Sequence, residues 1–463
     1  MQRASIFFLR AVVVVGIATI AALLVIDVSG RRNDDQSADA LGGDRNGLHP
    51  GLLSENTADL FDQSELRTYA FTVEPDDLAQ IDADPTAEQY VPATLRVDGL
   101  AVGDVGLRYK GSIGSFVGCT ESPIVLEPGG AKTCTKLSMK AKINWDGNDR
   151  EFYGVRRLQF HSQNLDQSHL RERLGYWLFA EMGVVAPRSV HAKVVVNDEF
   201  VGLFALTENV DGRFVRDRFD DGSGNLYKSN WPLTSSGRVR DAGDLLTSLR
   251  TNENDDDIDV SMIQSFAEDI IADPATAPAA IERWTDIDRY LAYYAVDRAI
   301  RHDDGPLHWY CSADGGCGNS NFYWYEEPDA DRLHLIPWDL DGAFENLGDQ
   351  PNEVTWVADD FGVTRNDCKP FLAFPEALLQ RSAACDPLLA ATASFETELA
   401  QLDAQLRSGP FARIDERIDD WTAQIEPAVI QAANAHDDAV SVDAWRDAIE
   451  QLRDDLGLTG QES

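Results

Sequence analysis

The hydrophobic pattern of the chain changes once, near residues 207–212, and this change constrains the fold more than any other feature. Before it, apolar and polar residues alternate with the two-residue period of half-buried strands, at 68–73, 93–97 and 105–109. After it, apolar residues recur at helical spacing, near 262–271, 281–300, 395–406 and 412–456. At 463 residues the chain also exceeds the size at which a single core keeps growing. We therefore expect a two-lobed α+β fold, with a sheet-rich lobe over 65–210 and a mainly helical lobe over 211–458 that includes the C-terminal helices.

The first thirty residues predict export. Arg3 and Arg10 precede an apolar run from Ala11 to Ile26. Its length lies between that of a signal-peptide core and that of a spanning helix, so residues 1–30 are either a cleaved signal peptide or an anchor that contacts the membrane. Residues 31–64 are rich in Asp, Asn, Gly and Ser, which predicts a flexible acidic linker. Under both alternatives we expect the folded body to lie outside the cytoplasm.

The charge balance excludes one class of partner. Lys and Arg together number 40 against 79 Asp and Glu, a formal net charge of -39. Such a surface repels phosphate backbones, so we expect no nucleic-acid partner. The acidity is spread along the chain and its simplest role is solubility. Nothing in the sequence determines the oligomeric state.

Six cysteines fall into three pairs that are close in sequence. In an oxidising compartment this spacing predicts three short-loop disulfides. The alternative is buried free thiols. The predicted pairs are Cys119 with Cys134, Cys311 with Cys317, and Cys368 with Cys385.

A Gly/Ser loop and a lysine-rich strand follow one another in the first lobe. Gly111, Ser112 and Gly114 come directly after a strand, where backbone N–H groups could bind phosphate oxygens; an ordinary hairpin turn is the alternative. In the strand that follows, residues two apart share a face, which predicts that Lys136, Lys140 and Lys142 line up. Lysines on the solvent face of an edge strand are the alternative interpretation.

A helix and a hairpin complete the predicted first lobe. The helix runs from Asp166 to Met182, with Ser168 as its cap, Gly183 as its end and two glutamates, Glu172 and Glu181, along it. Strands at 190–196 and 200–206 form a hairpin that leads to Glu208.

Most of the candidate chemistry lies between residues 302 and 344. A short apolar strand at 333–338 leads directly to Asp339 and Asp341, and Asn321 precedes an aromatic run. Carboxylate and amide oxygens are the ligands that Mg²⁺ prefers. Asp303 or Asp304, in a turn, could orient a hydroxyl nucleophile. Taken singly, these residues also suit a turn, a strand cap or a calcium site.

The order of these motifs and the residues in them resemble those of the CotH (spore-coat protein H) family of atypical protein kinases, over about residues 65–390. The resemblance is carried by the segments Tyr109-Lys110-Gly111-Ser112, Leu170-Arg171-Glu172, Asn225-Leu226-Tyr227-Lys228, Asp304-Gly305, Asn321-Phe322-Tyr323-Trp324-Tyr325 and Ile336-Pro337-Trp338-Asp339-Leu340-Asp341. It implies an atypical kinase-like fold that transfers phosphate from Mg-ATP to Ser or Thr of envelope or secreted proteins.

The resemblance also implies roles for single residues. Asp304 would be the catalytic aspartate, with Asp303 left open. Lys140 would contact the nucleotide phosphates, with Lys142 as the alternative, and Glu172 rather than Glu181 would pair with that lysine. The remaining implied residues are Gly111, Ser112, Gly114 and Glu208 at the cofactor, and Asn321, Asp339 and Asp341 at the metal.

One departure from the kinase pattern leaves a second function open. Sixteen residues, including Cys311 and Cys317, separate Asp304 from Asn321, where a kinase catalytic loop has a much shorter spacer. A disulfide could fold this insertion aside, or the insertion could mark a rearranged site. The alternative to a kinase is a catalytically silent, kinase-like surface scaffold or adhesin, with calcium binding as one of its forms.

Overall fold

The computed structural model describes residues 47–124, 127–253, 255, 257–302, 304–312, 315–344, 368–373 and 378–458. The predicted segment 1–30, the linker up to residue 46 and Asp303 lie outside the described residues. The strands are β1 (Arg67–Val73), β2 (Val91–Val97), β3 (Leu100–Tyr109), β4 (Met139–Lys142), β5 (Arg157–His161), β6 (Ser189–Val196), β7 (Glu199–Thr207), β8 (Leu226–Lys228), β9 (Trp309–Cys311), β10 (Cys317–Gly318), β11 (Phe322–Glu327), β12 (Arg332–Pro337), β13 (Phe371–Ala373) and β14 (Leu378–Arg381). The helices are α1 (Thr57–Leu60), α2 (Pro75–Ala83), α3 (Ile113–Phe116), α4 (Arg171–Glu181), α5 (Gly212–Arg218), α6 (Ala242–Thr247), α7 (Ser261–Ala272), α8 (Ala277–Trp284), α9 (Ile287–Ala299), α10 (Pro387–Ala393), α11 (Glu396–Ser408), α12 (Ile414–Ala435) and α13 (Val442–Asp455).

The first seven strands close into a barrel in the order β1-β2-β3-β4-β5-β7-β6. All neighbours are antiparallel except β1 and β6, which pair in parallel. The predicted hairpin at 190–206 forms as β6 and β7, and Asn197 and Asp198 turn it with positive φ angles of 50° and 65°. Closure leaves no open edge between β1 and β6.

Alternation along β3, β4 and β5 gives the barrel an apolar interior and a cationic outer face. Leu107, Ala141 and Leu158 are paired across the three strands and buried in the core. Their neighbours Arg108, Lys140 and Gln159 form the adjacent row of pairs, and this row continues to Thr207 on β7. Successive strand residues point to opposite faces, so this polar row lies on the outside of the barrel.

The C-terminal half confirms a mixed α+β protein and adds strands to the predicted helices. Strands β12, β11 and β8 form a three-stranded sheet, and β10, β9, β14 and β13 form a four-stranded one. The aromatic run that begins at Phe322 is β11, the central strand of the first sheet. The helix expected over 281–300 is split into α8 and α9, because Asp286 accepts the backbone N–H of Arg289 and caps a new helix.

Helix α4 begins later than the sequence pattern predicts. Its first residue is Arg171, and Ser168 does not cap it. The carboxylate of Asp166 accepts the backbone N–H groups of Ser168 and Arg171 instead, at 2.9 Å each. These bonds hold residues 166–170 in a turn, so the helix starts only after them.

The last helices contact helix α4 and the turn that precedes it. The guanidinium of Arg173 on α4 lies 4.1 Å from the ring centroid of Trp421 on α12. Trp445 on α13 is fully buried and donates its indole N–H to the carbonyl of Ser168 at 3.1 Å. Helices that the sequence analysis assigned to the C-lobe therefore also pack against the first half of the chain.

The three predicted disulfides are confirmed, as Cys119–Cys134, Cys311–Cys317 and Cys368–Cys385. Within the part of the chain that the structure describes, no helix is both long and apolar enough to cross a membrane.

Candidate active site

Three lysines from different parts of the chain lie near one another, and two of them lie over one aromatic ring. Lys110 follows β3, Lys140 lies on β4 and Lys228 ends β8; we call them the lysine cluster. The ammonium groups of Lys110 and Lys228 lie 5.9 Å and 5.5 Å from the ring centroid of Trp338. Since Lys110 follows a barrel strand and Lys228 belongs to the C-terminal half, the cluster lies where the two halves of the chain meet.

The electrostatics of the cluster favour an anion. Burial lowers the pKa of Lys140 well below its ordinary value, and the charges of Lys110, Arg157, Arg108 and Lys228 lower it further. Burial also lowers the pKa of Lys110 and lowers that of Lys228 to about 8, although the charge of Asp339 opposes both changes. A phosphate group placed among these ammonium groups would relieve their mutual repulsion.

Asp339 follows strand β12 by two residues, and its charge acts on Lys110 and Lys228 of the lysine cluster. Its backbone N–H donates to the hydroxyl of Tyr176 at 3.0 Å, and its carbonyl oxygen lies 3.1 Å from Nε2 of His302. Gly175 of α4 lets the next residue, Leu340, approach closely, because an added Cβ would lie 2.7 Å from Leu340 Cδ1. Helix α4 therefore supports the segment that carries Asp339.

The insertion before Asn321 brings Asp304 and Asn321 together. Strands β9 and β10 pair in antiparallel fashion and the Cys311–Cys317 disulfide links them. The sixteen-residue spacer thus contains a closed hairpin whose two ends meet: the side-chain amide of Asn321 donates to Asp304 Oδ2 at 2.6 Å. The charge of Asp304 also acts on His302, which contacts the carbonyl of Asp339, so His302 connects Asp304 to the segment that carries Asp339.

Glu172 lies in the first turn of α4 and is 1 % exposed. Its Oε1 atom is 2.8 Å from His161 Nδ1 and accepts the hydroxyl of Thr207 at 2.9 Å. Lys140 forms no hydrogen bond or ion pair with Glu172 within the described residues. Glu181, the second choice, lies in the last turn of the helix and pairs with Arg413 at 2.5 Å.

The other predicted cofactor residues lie in several different environments. Gly111 has a φ of 144°, and its N–H donates to Glu88 at 3.2 Å. Ser112 is exposed and precedes the short helix α3, which contains Gly114. Lys142 lies two residues beyond Lys140 on β4, where it pairs with Arg157. Glu208 is 4 % exposed, and its carboxylate is bound by Arg188 and Arg218.

The predicted row of three lysines is wrong for Lys136. This residue precedes β4, and its ammonium donates to the carbonyl of Leu203 at 3.1 Å. It lines a cavity of about 530 Å³ together with His169 and Asp438, and none of the lining residues belongs to the lysine cluster. The strand period applies only within the strand, and β4 begins at Met139.

The predicted oxygen donors suit a hard cation. Asp339 offers a carboxylate and Asn321 an amide oxygen, while Asp341 lies in the 3-10 turn that follows Asp339. Among the described residues, no group of three His, Cys, Asp or Glu side chains converges on a point. One carboxylate and one amide oxygen can be enough for Mg²⁺. Its sites often use one or two protein groups and complete the coordination with substrate phosphates and water.

Comparison with known proteins identifies the family. The profile of the family described as CotH kinase protein matches residues 107–456, about three quarters of the chain. The chain belongs to the CotH kinase family. It is also 23% identical to inner spore coat protein H of Bacillus subtilis (strain 168) over 294 residues, which cover 61% of this chain and 70% of that protein. The family match includes the lysine cluster, Asp304, Asn321 and Asp339.

Four residues of this CotH-family site were not among the candidates from the sequence. Lys110 and Lys228 lie in two of the segments that carry the family resemblance. Lys110 is also two residues from Arg108 on β3, which predicts that both lie on the same face. His161 is two residues from Gln159 on β5, so the same period places it on the outer face. Tyr176 is one turn beyond Glu172 on α4. These spacings were a usable signal, but only once it was known which strands are neighbours.

Proposed function

We propose that this CotH-family protein is a kinase that transfers the γ-phosphoryl group of Mg-ATP to Ser or Thr hydroxyls of proteins. The observation that carries the proposal is the lysine cluster, which gathers cations from both halves of the chain around Trp338 and beside Asp339. In so acidic a protein, a partly buried cationic cluster is best explained by an anionic ligand. ATP supplies that anion, and kinase-family membership favours it.

The reaction needs one base and charge neutralisation. The acceptor hydroxyl would donate its proton to Asp304 as its oxygen forms a bond to the γ-phosphorus. The bond from that phosphorus to the β–γ bridging oxygen breaks, and ADP leaves. The lysine cluster would stabilise charge on the phosphate oxygens. When bound by Asn321 and Asp339, with Asp341 as a further candidate, Mg²⁺ would neutralise the phosphates.

The substrates we propose are proteins of the cell envelope or secreted proteins. Three disulfides are typical of a protein that folds in an oxidising compartment outside the cytoplasm. The strongly acidic surface makes nucleic acid an unsuitable partner.

Two substitutions separate the proposed roles. Asp339→Asn removes a negative charge from the cation site, so we expect loss of phosphoryl transfer together with weaker Mg-ATP binding. Asp304→Asn keeps the contact with Asn321 but removes the base, so we expect Mg-ATP binding to survive while turnover falls by about 10²-fold or more. The measurements are radiolabelled phosphate incorporation, including autophosphorylation, and calorimetry with Mg-ATP.

Asp447→Asn is the matched control, because Asp447 is exposed on α13 and remote from the predicted site residues in sequence. It should leave binding and transfer unchanged. A wild-type protein that binds no Mg-nucleotide and labels nothing would refute the kinase and favour the silent scaffold or adhesin. Binding of Ca²⁺ without nucleotide in the same calorimeter would identify the calcium-binding form of that alternative.

A further inference from the structure

A continuous chain of polar contacts runs from Glu172 to Lys110. The Nδ1 atom of His161 lies 2.8 Å from Glu172 Oε1, and its Nε2 atom lies 2.7 Å from the ammonium nitrogen of Lys110. His161 and Glu172 are buried, with 6 % and 1 % of their surface exposed. The Trp338 ring meets the imidazole edge-to-face at 5.7 Å and so limits its rotation.

With Lys110 protonated, the donors and acceptors of this chain allow one arrangement. An ammonium group has three N–H donors and no acceptor, so His161 Nε2 must accept from Lys110. The single ring proton is then on Nδ1, where it is donated to the Glu172 carboxylate. The carboxylate is fixed in turn by the Thr207 hydroxyl. Burial lowers the pKa of Lys110, and the charges of Asp339, Glu172 and Glu88 oppose this change and favour the protonated form that the arrangement requires.

Lys140 has a different environment. Its partners across the sheet are Arg108 and Gln159, and its ammonium forms no hydrogen bond or ion pair within the described part of the chain. The charges that act on it are those of Lys110, Arg157, Arg108 and Lys228, all positive. Lys140 thus has no protein counter-ion there, whereas Lys110 is tied to a carboxylate through one imidazole.

We infer that His161 is a positioning residue that links Glu172 to Lys110, so that Lys110 rather than Lys140 is the lysine oriented by the α4 glutamate, and Lys140 pairs with the nucleotide phosphates alone. This inference rests on the proposed kinase function for its consequence in turnover. It assigns the two lysines different tasks. Lys110 holds a fixed direction beside Trp338 before the nucleotide binds, and Lys140 gains its counter-ion only from the nucleotide.

Two substitutions of His161 test the link. His161→Leu breaks it, and we expect kcat/KM for Mg-ATP to fall about ten- to hundredfold, the range for a lost hydrogen bond to a charged group. His161→Gln should restore most of this loss, because its amide oxygen can accept from Lys110 while its NH₂ group donates to Glu172. His436→Leu is the control, since His436 contacts the carbonyl of Phe200 and no member of the chain.

A double-mutant cycle separates the lysines. Lys110→Met combined with His161→Leu should be no worse than Lys110→Met alone, whereas the effects of Lys140→Met and His161→Leu should multiply. The inference is overturned if His161→Gln loses as much activity as His161→Leu at unchanged Tm, or if Lys140 shows the coupling expected of Lys110.

Nuclear magnetic resonance of ¹⁵N-histidine protein tests the link without any activity. The His161 signal, assigned by its absence in His161→Gln, should show the neutral Nδ1–H tautomer and should shift in Lys110→Met. An Nε2–H tautomer, or a signal indifferent to Lys110→Met, overturns the inference. If the wild type transfers no phosphate but the tautomer is as expected, the kinase proposal fails and the link itself stands.

Discussion

Asp339 and Asn321 both adopt left-handed backbone conformations, with φ angles of 55° and 59°. A residue with a Cβ pays about 1–2 kcal/mol for this geometry, so its surroundings must hold it there. At Asp339 those surroundings are the hydroxyl of Tyr176, which accepts the backbone N–H, and His302, which contacts the carbonyl. At Asn321 the side chain is fixed by Asp304. These two of the three predicted metal ligands therefore depend on neighbours for their direction.

Tyr176→Phe removes one of these supports. We expect a loss of roughly 1–2 kcal/mol in the free energy of unfolding, because the Asp339 N–H loses its acceptor, and a fall of about tenfold in kcat. Steady-state kinetics and thermal unfolding would measure the two effects. Tyr290→Phe is a matched control, since it removes a buried hydroxyl bond between α9 and Thr392 on α10. It should cost similar stability and leave kcat unchanged; equal kinetic losses in both variants would contradict the supporting role of Tyr176.

Site residues that belong to a recognisable motif could be predicted from the sequence. Those that only the fold brings together were missed. Asn321 and Asp339 are candidates because one precedes and the other follows a recognisable strand, and Asp304 is a candidate because it lies in a predicted turn. Lys110, His161 and Lys228 come from β3, β5 and β8, whose proximity depends on strand order and on the meeting of two halves of the chain. A strand period gives the face on which a side chain lies, but it does not give the strand that lies opposite.

At the scale of elements, helix α4 is the common support of the site. Glu172 points toward the barrel, Tyr176 contacts the backbone of Asp339, and Gly175 between them leaves room for Leu340. A shift of this helix would therefore move both the Glu172 carboxylate and the segment that carries Asp339.

Gly175→Ala should separate stability from activity. Alanine favours a helix by about 1 kcal/mol over glycine, but its Cβ would lie 2.7 Å from Leu340 Cδ1 and displace the residue after Asp339. We expect Tm to change little while phosphoryl transfer falls by about tenfold. Ala180→Val, at an exposed position of the same helix, alters helix propensity without contacting Leu340 and should keep full activity. Unchanged transfer by Gly175→Ala would show that the close approach to Leu340 does not matter.

Elements stabilised by local contacts were predicted well, and those that depend on distant pairing were not. The β6–β7 hairpin follows from alternation and from Asn197 and Asp198 in its turn. Closure of the barrel depends on the parallel pairing of β1 with β6, more than one hundred residues apart in sequence, and no local signal encodes it. The start of α4 was misplaced because Asp166, five residues before Arg171, accepts the backbone N–H groups that a helix cap would accept.

At the scale of the whole molecule, the acidic surface and the lysine cluster have opposite charge. The formal net charge of -39 makes the folded state repel itself, which lowers its stability relative to the expanded chain. The lysine cluster is a local exception, with cations on the outer face of the barrel and at the end of β8. It repels itself as well, but an anionic ligand would relieve that repulsion.

Salt should therefore strengthen the fold and weaken nucleotide binding. The screening length falls from about 10 Å at 0.1 M salt to about 3 Å at 1 M, so acidic groups spread over the surface repel each other less. Over this range we expect the Tm of the protein to rise and the Kd for Mg-ATP to increase. Differential scanning calorimetry and titration calorimetry would measure the two quantities in the same buffers.

Lys140→Met is the control that separates the effect of salt on stability from its effect on nucleotide binding. Since it removes one cation from the cluster and leaves the acidic surface unchanged, Tm should rise with salt as in the wild type, while the salt dependence of the Mg-ATP Kd should become shallower. A parallel series with a zwitterion such as glycine in place of salt should move neither quantity by screening. A Tm that falls with salt would contradict the view that self-repulsion limits stability. A nucleotide affinity that ignores salt in the wild type would place the phosphates away from the lysine cluster, because attraction between exposed or partly exposed charges is always screened.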